Sequence, residues 1–448
     1  MRKMGEGGRN QFEADDSMRE PQEAKSPTRK KLSTAPPRRR VPVQKNGAVK
    51  LPADIIKKLG ARPGGKLEII EDRGHVEIRP NIHSLARVYI EPTSRCNLTC
   101  RTCIRNTWTE PLGDMSIETF DKIVVQLRRF DHFESVMFGG FGEPTAHSSI
   151  LNMLGKIKSL NVGVEMTTNG TLLNEAMLEG LFKNRLDVLW VSFDGTESES
   201  YQSIRDGASF QSVVSSLRAL QKMNARSRHP IRLGISFVVL KRNISDLKNM
   251  DELARAVGAD KVLVSNVLPY SEEMEKEMLC LLTLSMDTFT FASPKTEISL
   301  PRLDVTPFTR DTLFRLLQGY ENLTLMGNKI FAETRSCRFI RDRATFIRWD
   351  GKVSPCMGLL HSYKTYLYGN ERRIRSYSPG DINQKTLYEI WNSREYRKFR
   401  DKMRKFDFSP CHVCGGCSLL ETNDEDCYGN AFPACGGCLW AQGVIQCP

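Results

Sequence analysis

The sequence predicts an α/β protein whose centre is an incomplete barrel of parallel strands. Apolar, strand-like runs alternate with amphipathic stretches, and the runs lie at 87–92, 135–139, 162–168, 187–193, 231–240 and 261–268. Strands separated by helices are typical of parallel βαβ units, and six such units fit a partial (β/α)6 barrel. A small β-rich unit precedes these runs and a cysteine-rich segment follows them, which completes the predicted fold class.

Composition favours a globular protein without a membrane segment. The 448 residues are 40% hydrophobic and 26% charged, and no apolar run approaches the roughly 18 residues that a membrane helix needs. The first residues lack the apolar core of a signal peptide, so we expect a cytoplasmic protein. In that compartment the 13 cysteines are better suited to metal or redox use than to disulfides. The net charge of +12 is spread along the chain, which favours a solvated basic surface but does not exclude nucleic acid.

The chain begins with two segments outside the barrel. Residues 1–40 are rich in Arg, Lys, Pro, Ser and Glu, and we expect a disordered basic tail. Residues 41–82 predict a strand pair around Asn46-Gly47, a short helix over 53–59 and a second hairpin. This order resembles the SpoVT/AbrB-type swapped-hairpin domain, in which two chains interleave. A unit of about 40 residues is too small for a robust solitary core, so we expect a homodimer through 41–82.

Three cysteines, Cys96, Cys100 and Cys103, lie in the loop after the first barrel strand at spacing C-x3-C-x2-C. Structural zinc sites usually take four protein ligands, and the nearest histidines, His83 and His132, are not local. Three thiolates instead suit a 4Fe–4S cluster with one iron open to a ligand. The spacing resembles that of the radical SAM enzymes, which implies that the cluster binds S-adenosyl-L-methionine (SAM).

Polar residues recur where the next barrel strands end, at the edge that carries the chemistry in barrels of this type. The resemblance implies that these residues bind SAM, and they are Gly140, Gly142, Glu143, Thr168, Asn169, Ser192, Asp194 and Arg205. It assigns the SAM amino group to the glycine-rich turn, the ribose or methionine end to Ser192 and Asp194, and the carboxylate to Arg205. For each residue taken singly, the alternative is an ordinary strand-end hydrogen bond. The sequence identifies no catalytic base.

Nine of the cysteines fall between residue 337 and the end of the sequence. The segment resembles a SPASM domain, which binds auxiliary 4Fe–4S clusters, and the resemblance implies as ligands Cys337, Cys356, Cys411, Cys414, Cys417, Cys427, Cys435 and Cys438. Two clusters need about eight thiolates, so the number suffices. The spacing departs from the usual pattern, which leaves open both the division between the clusters and the status of Cys447. A zinc ribbon of two C-x2-C pairs is the alternative.

The predicted domains are therefore the tail at 1–40, the small unit at 41–82, the radical SAM core at 84–330 and the SPASM-type domain at 337–448. The swapped-hairpin-like start and the stretches 102–108, 421–430 and 435–443 resemble one subgroup of radical SAM/SPASM maturases, those associated with tungsten-containing aldehyde ferredoxin oxidoreductases. The resemblance implies that a 5′-deoxyadenosyl radical modifies the oxidoreductase or its tungstopterin, with ferredoxin or flavodoxin as electron donor. Two alternatives stay open: an enzyme forming thioether or carbon–carbon crosslinks in a peptide, and a DNA-binding redox-sensing regulator.

Overall fold

The computed structural model describes residues 40–61, 67–72, 75–130, 133–281, 298–301, 303–319, 323–325, 328–329, 337–411 and 417–448. The chain forms two compact units, Met1–Pro52 and Ala53–Pro448. In the first unit, Val43 and Val49 form an antiparallel bridge around a turn in which Gly47 has a φ of 81°. The tail is predicted over residues 1–40, and residues 1–39 of it lie outside the described residues.

The second unit begins with a helix and a hairpin. Helix α1 covers Ala53–Lys58, and strands β1 (Glu68–Asp72) and β2 (His75–Arg79) pair antiparallel with Glu68 opposite Arg79. These elements agree with the predicted helix and second hairpin. Ile69 and Val76 are 62% and 67% exposed, so the hairpin presents apolar side chains to solvent.

Six parallel strands form the predicted barrel sheet, and this prediction is confirmed. They are β3 (Arg87–Ile90), β4 (Ser135–Phe138), β5 (Gly163–Thr168), β6 (Val188–Ser192), β7 (Arg232–Val239) and β8 (Lys261–Asn266). Each strand pairs in parallel with the next along the chain, so all six carboxyl ends lie at one edge of the sheet. The loops that carry the predicted SAM residues therefore meet at that edge.

Helices connect these strands and cover the sheet. They are α2 (Ile117–Leu127), α3 (Ile150–Lys158), α4 (Glu175–Lys183), α5 (Ser198–Ile204), α6 (Phe210–Asn224) and α7 (Met250–Val257). The side chains of Ser116, Asn174 and Ser209 accept hydrogen bonds from backbone N–H groups of the first turns of α2, α4 and α6. Such caps satisfy donors that a helix start leaves unpaired.

The segment after β8 contains short elements. Helix α8 covers Glu272–Lys276, and helix α9 covers Pro307–Gly319. Strands β9 (Ile298–Leu300), β10 (Leu323–Leu325) and β11 (Asn328–Lys329) form a small sheet in the order β11-β10-β9. From the sequence, we expect residues 271–336 to close the barrel and to bridge it to the C-terminal domain, without assigned elements.

The C-terminal region extends the barrel sheet, which the sequence did not predict. After α10 (Arg338–Arg341), strand β12 (Ala344–Ile347) lies parallel to β3 with Ile347 opposite Ile90. Strands β13 (Lys352–Ser354) and β16 (Gly380–Asp381) continue the sheet antiparallel. Because Tyr89 of β3 stacks on Phe346 of β12 at 4.2 Å between ring centroids, the two regions share one core.

The remaining elements pack against this extension. Strands β14 (Tyr363–Leu367) and β15 (Asn370–Ile374) form a hairpin, followed by helices α11 (Leu387–Asn392) and α12 (Arg394–Lys405). Thr386 and Glu389 form a capping box at the start of α11. In the described part of the chain, no helix has both the length and the apolar character needed to span a bilayer.

Candidate functional site

The loop of Cys96, Cys100 and Cys103 lies at the carboxyl end of the barrel, against the end of α5. Its backbone is held there because the N–H of Arg101 donates to the carbonyl of Ile204 at 2.8 Å, and Thr99 Oγ1 donates to Asp206 Oδ2 at 3.0 Å. All three thiols are free and partly buried. Burial raises the pKa of Cys100 to about 11 and also raises the pKa of Cys103. A metal ligand must be deprotonated, so occupancy would displace these protons.

The donor set of this loop fits an iron–sulfur cluster. Three soft thiolates on one loop are ligands that iron–sulfur clusters take, and a fourth position is left open. Among the described residues, no three His, Cys, Asp or Glu side chains converge closely enough to hold a single metal ion. A 4Fe–4S cluster requires no such convergence, because each thiolate binds a different iron.

The glycine-rich turn after β4 needs its glycines. A Cβ atom on Gly140, whose φ is 156°, would lie 2.6 Å from Glu91 Cγ. One on Gly142 would lie 2.1 Å from the carbonyl oxygen of Thr93. Because real Cβ atoms do not approach so closely, only glycine lets this turn pack against the loop after β3.

Glu143 joins the ends of β4 and β5. Its buried carboxylate accepts hydrogen bonds from Thr145 N at 3.0 Å, Thr168 Oγ1 at 2.7 Å and Asn169 N at 2.6 Å. Burial raises the pKa of Glu143. Asn169 in turn reaches the cysteine loop, with its Nδ2 3.7 Å from Cys96 Sγ and 2.9 Å from Asn97 Oδ1. Three predicted SAM residues thus lie together beside the cysteine loop, and Glu143 holds the other two in place.

Asp194 and Arg205 form a buried ion pair. Arg205 Nη2 lies 2.7 Å from Asp194 Oδ2, and Asp194 Oδ1 accepts from the N–H of Val238 at 2.7 Å. Burial raises the pKa of Asp194, although the charge of Arg205 opposes this. The positive charge of Arg205 also opposes the increase in the pKa of Cys100. Ser192 is half-buried at the end of β6. These residues share the barrel edge, and Arg205 contacts a carboxylate of the protein itself.

A buried network at the same edge was not predicted. His361 Nε2 lies 2.9 Å from Glu91 Oε2, and His361 Nδ1 lies 3.0 Å from Glu110 Oε2. Arg348 Nη1 donates to Glu110 at 3.0 Å. The ring of Trp108 stacks on His361 with 4.1 Å between centroids. Because Glu91 also accepts from the N–H of Phe141 at 3.2 Å, this network links the C-terminal region to the glycine-rich turn.

The pKa values of two members of this network, His361 and Glu110, are shifted in opposite directions. Burial lowers the pKa of His361, but hydrogen bonds to Glu110 and Glu91 outweigh burial and raise its pKa above the ordinary value. Burial raises the pKa of Glu110, but the hydrogen bond to His361 and a backbone N–H outweigh burial and lower its pKa to about 2. Glu91 could have been found from sequence, since it directly follows the first barrel strand. Nothing in the sequence distinguishes His361.

Four C-terminal thiols lie together in one interior cavity. Cys337, Cys356, Cys435 and Cys438 all line it, with Trp440 and Tyr363 among its apolar walls. Burial raises the pKa of Cys337 to about 12, and it also raises the pKa of the other three thiols. Four buried free thiols fit a 4Fe–4S cluster, which needs four thiolates.

Of the other described C-terminal cysteines, Cys411 and Cys427 lie together. Cys411 Sγ lies 3.4 Å and Cys427 Sγ lies 3.1 Å from Ser409 Oγ. Cys417, which lies between them in sequence, is exposed. Cys414, also predicted as a ligand, lies outside the described residues. Cys447 is half-buried and accepts a hydrogen bond from Trp440 Nε1 at 3.2 Å.

Known protein families match both the barrel and the cysteine-rich region. The Radical SAM superfamily matches residues 90–254, and an iron–sulfur cluster-binding domain, SPASM, matches residues 337–418. The tungsten-containing aldehyde ferredoxin oxidoreductase cofactor-modifying protein of Pyrococcus furiosus is 29% identical over 368 residues, which cover 81% of this chain and 96% of that protein. PqqA peptide cyclase of Granulibacter bethesdensis is 26% identical over 77% of this chain and 83% of that protein.

Among solved structures, Streptococcus suis SuiB bound to S-adenosylmethionine aligns with a TM-score of 0.49 and 17% identity, covering 77% of this chain and 73% of that one. The two domain matches coincide with the barrel that carries Cys96, Cys100 and Cys103 and with most of the cysteine-rich region. The chain therefore carries a radical SAM domain followed by an iron–sulfur-binding SPASM domain, and it is a radical SAM enzyme.

Proposed function

We propose that this enzyme is a radical maturase that modifies a tungsten-containing aldehyde ferredoxin oxidoreductase or its tungstopterin cofactor. The observation that carries the proposal is the similarity to the Pyrococcus furiosus cofactor-modifying protein, which spans 96% of that relative. A likeness of this extent includes both the barrel and the cysteine-rich region. It therefore supports a shared type of substrate as well as a shared fold.

In this proposal Cys96, Cys100 and Cys103 hold a 4Fe–4S cluster, and Glu143 orients Thr168 and Asn169 beside bound SAM. Gly140 and Gly142 leave the backbone of the turn free to approach the methionine end of SAM, and Ser192 contacts the ribose or methionine end. Arg205, already charged and buried, would share its guanidinium between Asp194 and the SAM carboxylate. When bound, the cluster and SAM supply a 5′-deoxyadenosyl radical that abstracts hydrogen from the substrate.

We assign the auxiliary ligands to two sets. The cavity shared by Cys337, Cys356, Cys435 and Cys438 supports one cluster. The second set is Cys411, Cys414, Cys417 and Cys427, supported by the approach of Cys411 and Cys427 to one serine hydroxyl. Cys447 is left out, since the Trp440 N–H binds its sulfur. A zinc ribbon would instead pair Cys435 and Cys438 with Cys411 and Cys414 and leave Cys337 and Cys356 without a role.

The partners follow from this chemistry. The substrate is the oxidoreductase, a ferredoxin or flavodoxin supplies the electron, and the reaction takes place in the cytoplasm. A homodimer through residues 41–82 is supported by the exposed apolar side chains of Ile69 and Val76.

The test is to produce a tungsten-containing aldehyde ferredoxin oxidoreductase together with the wild-type chain or with Cys100→Ala. We expect a change in the mass of the oxidoreductase polypeptide or of its extracted cofactor only with the wild-type chain, accompanied by higher oxidoreductase activity. Identical masses in both preparations would contradict this function.

A second candidate function is modification of a short peptide. It rests on the similarity to PqqA peptide cyclase, whose name states a peptide substrate. Incubating the reduced enzyme and SAM with peptides encoded beside its gene distinguishes the two. A mass loss of two hydrogens in such a peptide, without change in the oxidoreductase, would favour the second candidate.

A further inference from the structure

Arg372 is a buried arginine on β15, and in the described part of the chain its guanidinium hydrogen-bonds to backbone carbonyls. It is 3% exposed. Its Nε donates to the carbonyl of Leu420 at 2.6 Å, its Nη1 to that of Gly437 at 3.1 Å and its Nη2 to that of Thr422 at 3.5 Å. A Cβ atom on Gly437 would lie 1.9 Å from Nη1, so this approach requires glycine there.

The charge of Arg372 is not balanced by a carboxylate of the described residues. Among the described residues, no carboxylate forms an ion pair with it, whereas the buried Arg205 and Arg348 contact Asp194 and Asp350. Burying a cation costs several kcal/mol unless negative charge lies close by. Carbonyl dipoles supply part of this compensation, and the rest must come from another group.

The carbonyls that bind Arg372 lie in both groups of C-terminal cysteines. Gly437 stands between Cys435 and Cys438, which line the interior cavity, while Leu420 and Thr422 stand between Cys417 and Cys427. Arg372 itself lines the cavity of Cys435 and Cys438. One guanidinium therefore lies at the cavity of the first group and against the segment that joins Cys417 to Cys427.

We propose that Arg372 is a shared counter-cation of the two auxiliary clusters and raises the reduction potential of both. This inference rests on the proposed ligand sets. A cluster held by four thiolates is anionic and gains one further negative charge when it accepts one electron. A fixed cation stabilises that reduced form more than the oxidised form, and the effect is strong where water is excluded.

The test measures potentials in a full-length background in which Cys96, Cys100 and Cys103 are alanine, so that only auxiliary iron remains. The protein is reconstituted anaerobically, titrated with dithionite against mediators, and followed by electron paramagnetic resonance. We expect Arg372→Gln to lower both midpoint potentials by about 59 mV, which corresponds to a tenfold change in the one-electron equilibrium constant. Arg372→Lys, which keeps the charge, should stay close to the parent.

Arg373→Gln is the matched control, because Arg373 is the adjacent residue of β15 and its side chain is exposed. It should leave both potentials unchanged. If Arg372→Gln loses iron, the Arg372→Lys variant distinguishes the two explanations. Iron content and potentials like those of the parent in Arg372→Lys support the role of the charge. Loss of iron in Arg372→Lys as well overturns the proposal. Unchanged potentials in an iron-replete Arg372→Gln protein would overturn the proposal while leaving the ligand sets intact. A parent protein with about zero auxiliary iron would overturn both the ligand sets and the proposed role of Arg372.

Discussion

At the scale of single residues, the side chains predicted to bind SAM divide into those open to a ligand and those already bound to the protein. Glu143 is bound, because its carboxylate accepts from Thr145, Thr168 and Asn169. Asp194 is also bound, to Arg205 and to the N–H of Val238. We infer that these two carboxylates act on SAM through the groups they position.

We therefore expect Glu143→Gln to weaken SAM binding without removing iron. The amide replaces one acceptor oxygen with a donor, so a hydrogen bond from Thr168 or Asn169 is lost, at a cost of about 1–3 kcal/mol for a buried group. We expect about 1.4 kcal/mol of this cost to appear in SAM binding, which is a tenfold higher Kd and is measurable by anaerobic calorimetry. Glu118→Gln, on the exposed start of α2, is the control. An unchanged Kd in Glu143→Gln would show that this carboxylate does not position the SAM site.

The network of His361, Glu91 and Glu110 predicts a pH-dependent stability. Because the pKa of His361 is raised on folding, its contribution is complete below the unfolded value near 6.5 and is lost as pH rises through the higher folded value. The pKa of Glu110 is lowered to about 2, so its contribution is lost as pH falls from about 4.5 towards 2.

The expected outcome is that His361→Gln lowers the Tm most at pH 5 to 6 and progressively less towards pH 9. The measurement is thermal unfolding of wild type and variant across that range. His229→Gln, at an exposed position, is the control and should show a small, constant difference. A Tm difference for His361→Gln that does not change with pH would contradict an ion-paired His361.

At the scale of elements, the β1–β2 hairpin predicts self-association. An isolated two-stranded hairpin is marginally stable in water, and this one exposes Ile69 and Val76. Deleting residues 1–82 should convert a dimer into a monomer while SAM cleavage persists, as measured by light scattering after gel filtration. Replacing both Ile69 and Val76 with Asp in the full chain should do the same, whereas Glu77→Gln should not. A dimer that survives the deletion would refute this interface.

Sequence patterns predicted the barrel strands well because each is a local apolar run followed by an amphipathic helix. The pairing of β12 with β3 could not be predicted, because it joins residues about 250 positions apart and no local pattern encodes a partner. His361 and Arg372 were missed for a similar reason. A lone polar residue in a hairpin region resembles a surface residue until the fold buries it.

The C-terminal cysteines illustrate the same limit. The spacing of Cys435 and Cys438 indicated a shared metal, but proximity in sequence did not reveal that Cys337 and Cys356 line the same cavity. The glycine-rich turn was predictable because it follows a strand at the carboxyl edge. The division of the C-terminal thiols depended on the hairpin and helices that lie between them.

At the scale of the whole molecule, three cluster sites predict the iron content. Four irons for each of three clusters give about 12 iron atoms per anaerobically reconstituted chain. Replacing Cys96, Cys100 and Cys103 with alanine should leave about eight. Metal analysis by mass spectrometry measures both values. About four irons with tightly bound zinc in the wild type would favour the zinc ribbon.

We propose that the three-cysteine loop and the strand-end residues together perform reductive cleavage of SAM. The most direct measurement is the amount of 5′-deoxyadenosine that reconstituted, dithionite-reduced enzyme forms from SAM, compared with that formed by Cys100→Ala. We predict formation by the wild type, loss of all detectable product in Cys100→Ala, and retention of the auxiliary iron in that variant. If Cys100→Ala forms as much 5′-deoxyadenosine as the wild type, the radical chemistry does not depend on this loop, and the assignment of Cys96, Cys100 and Cys103 to SAM cleavage is wrong.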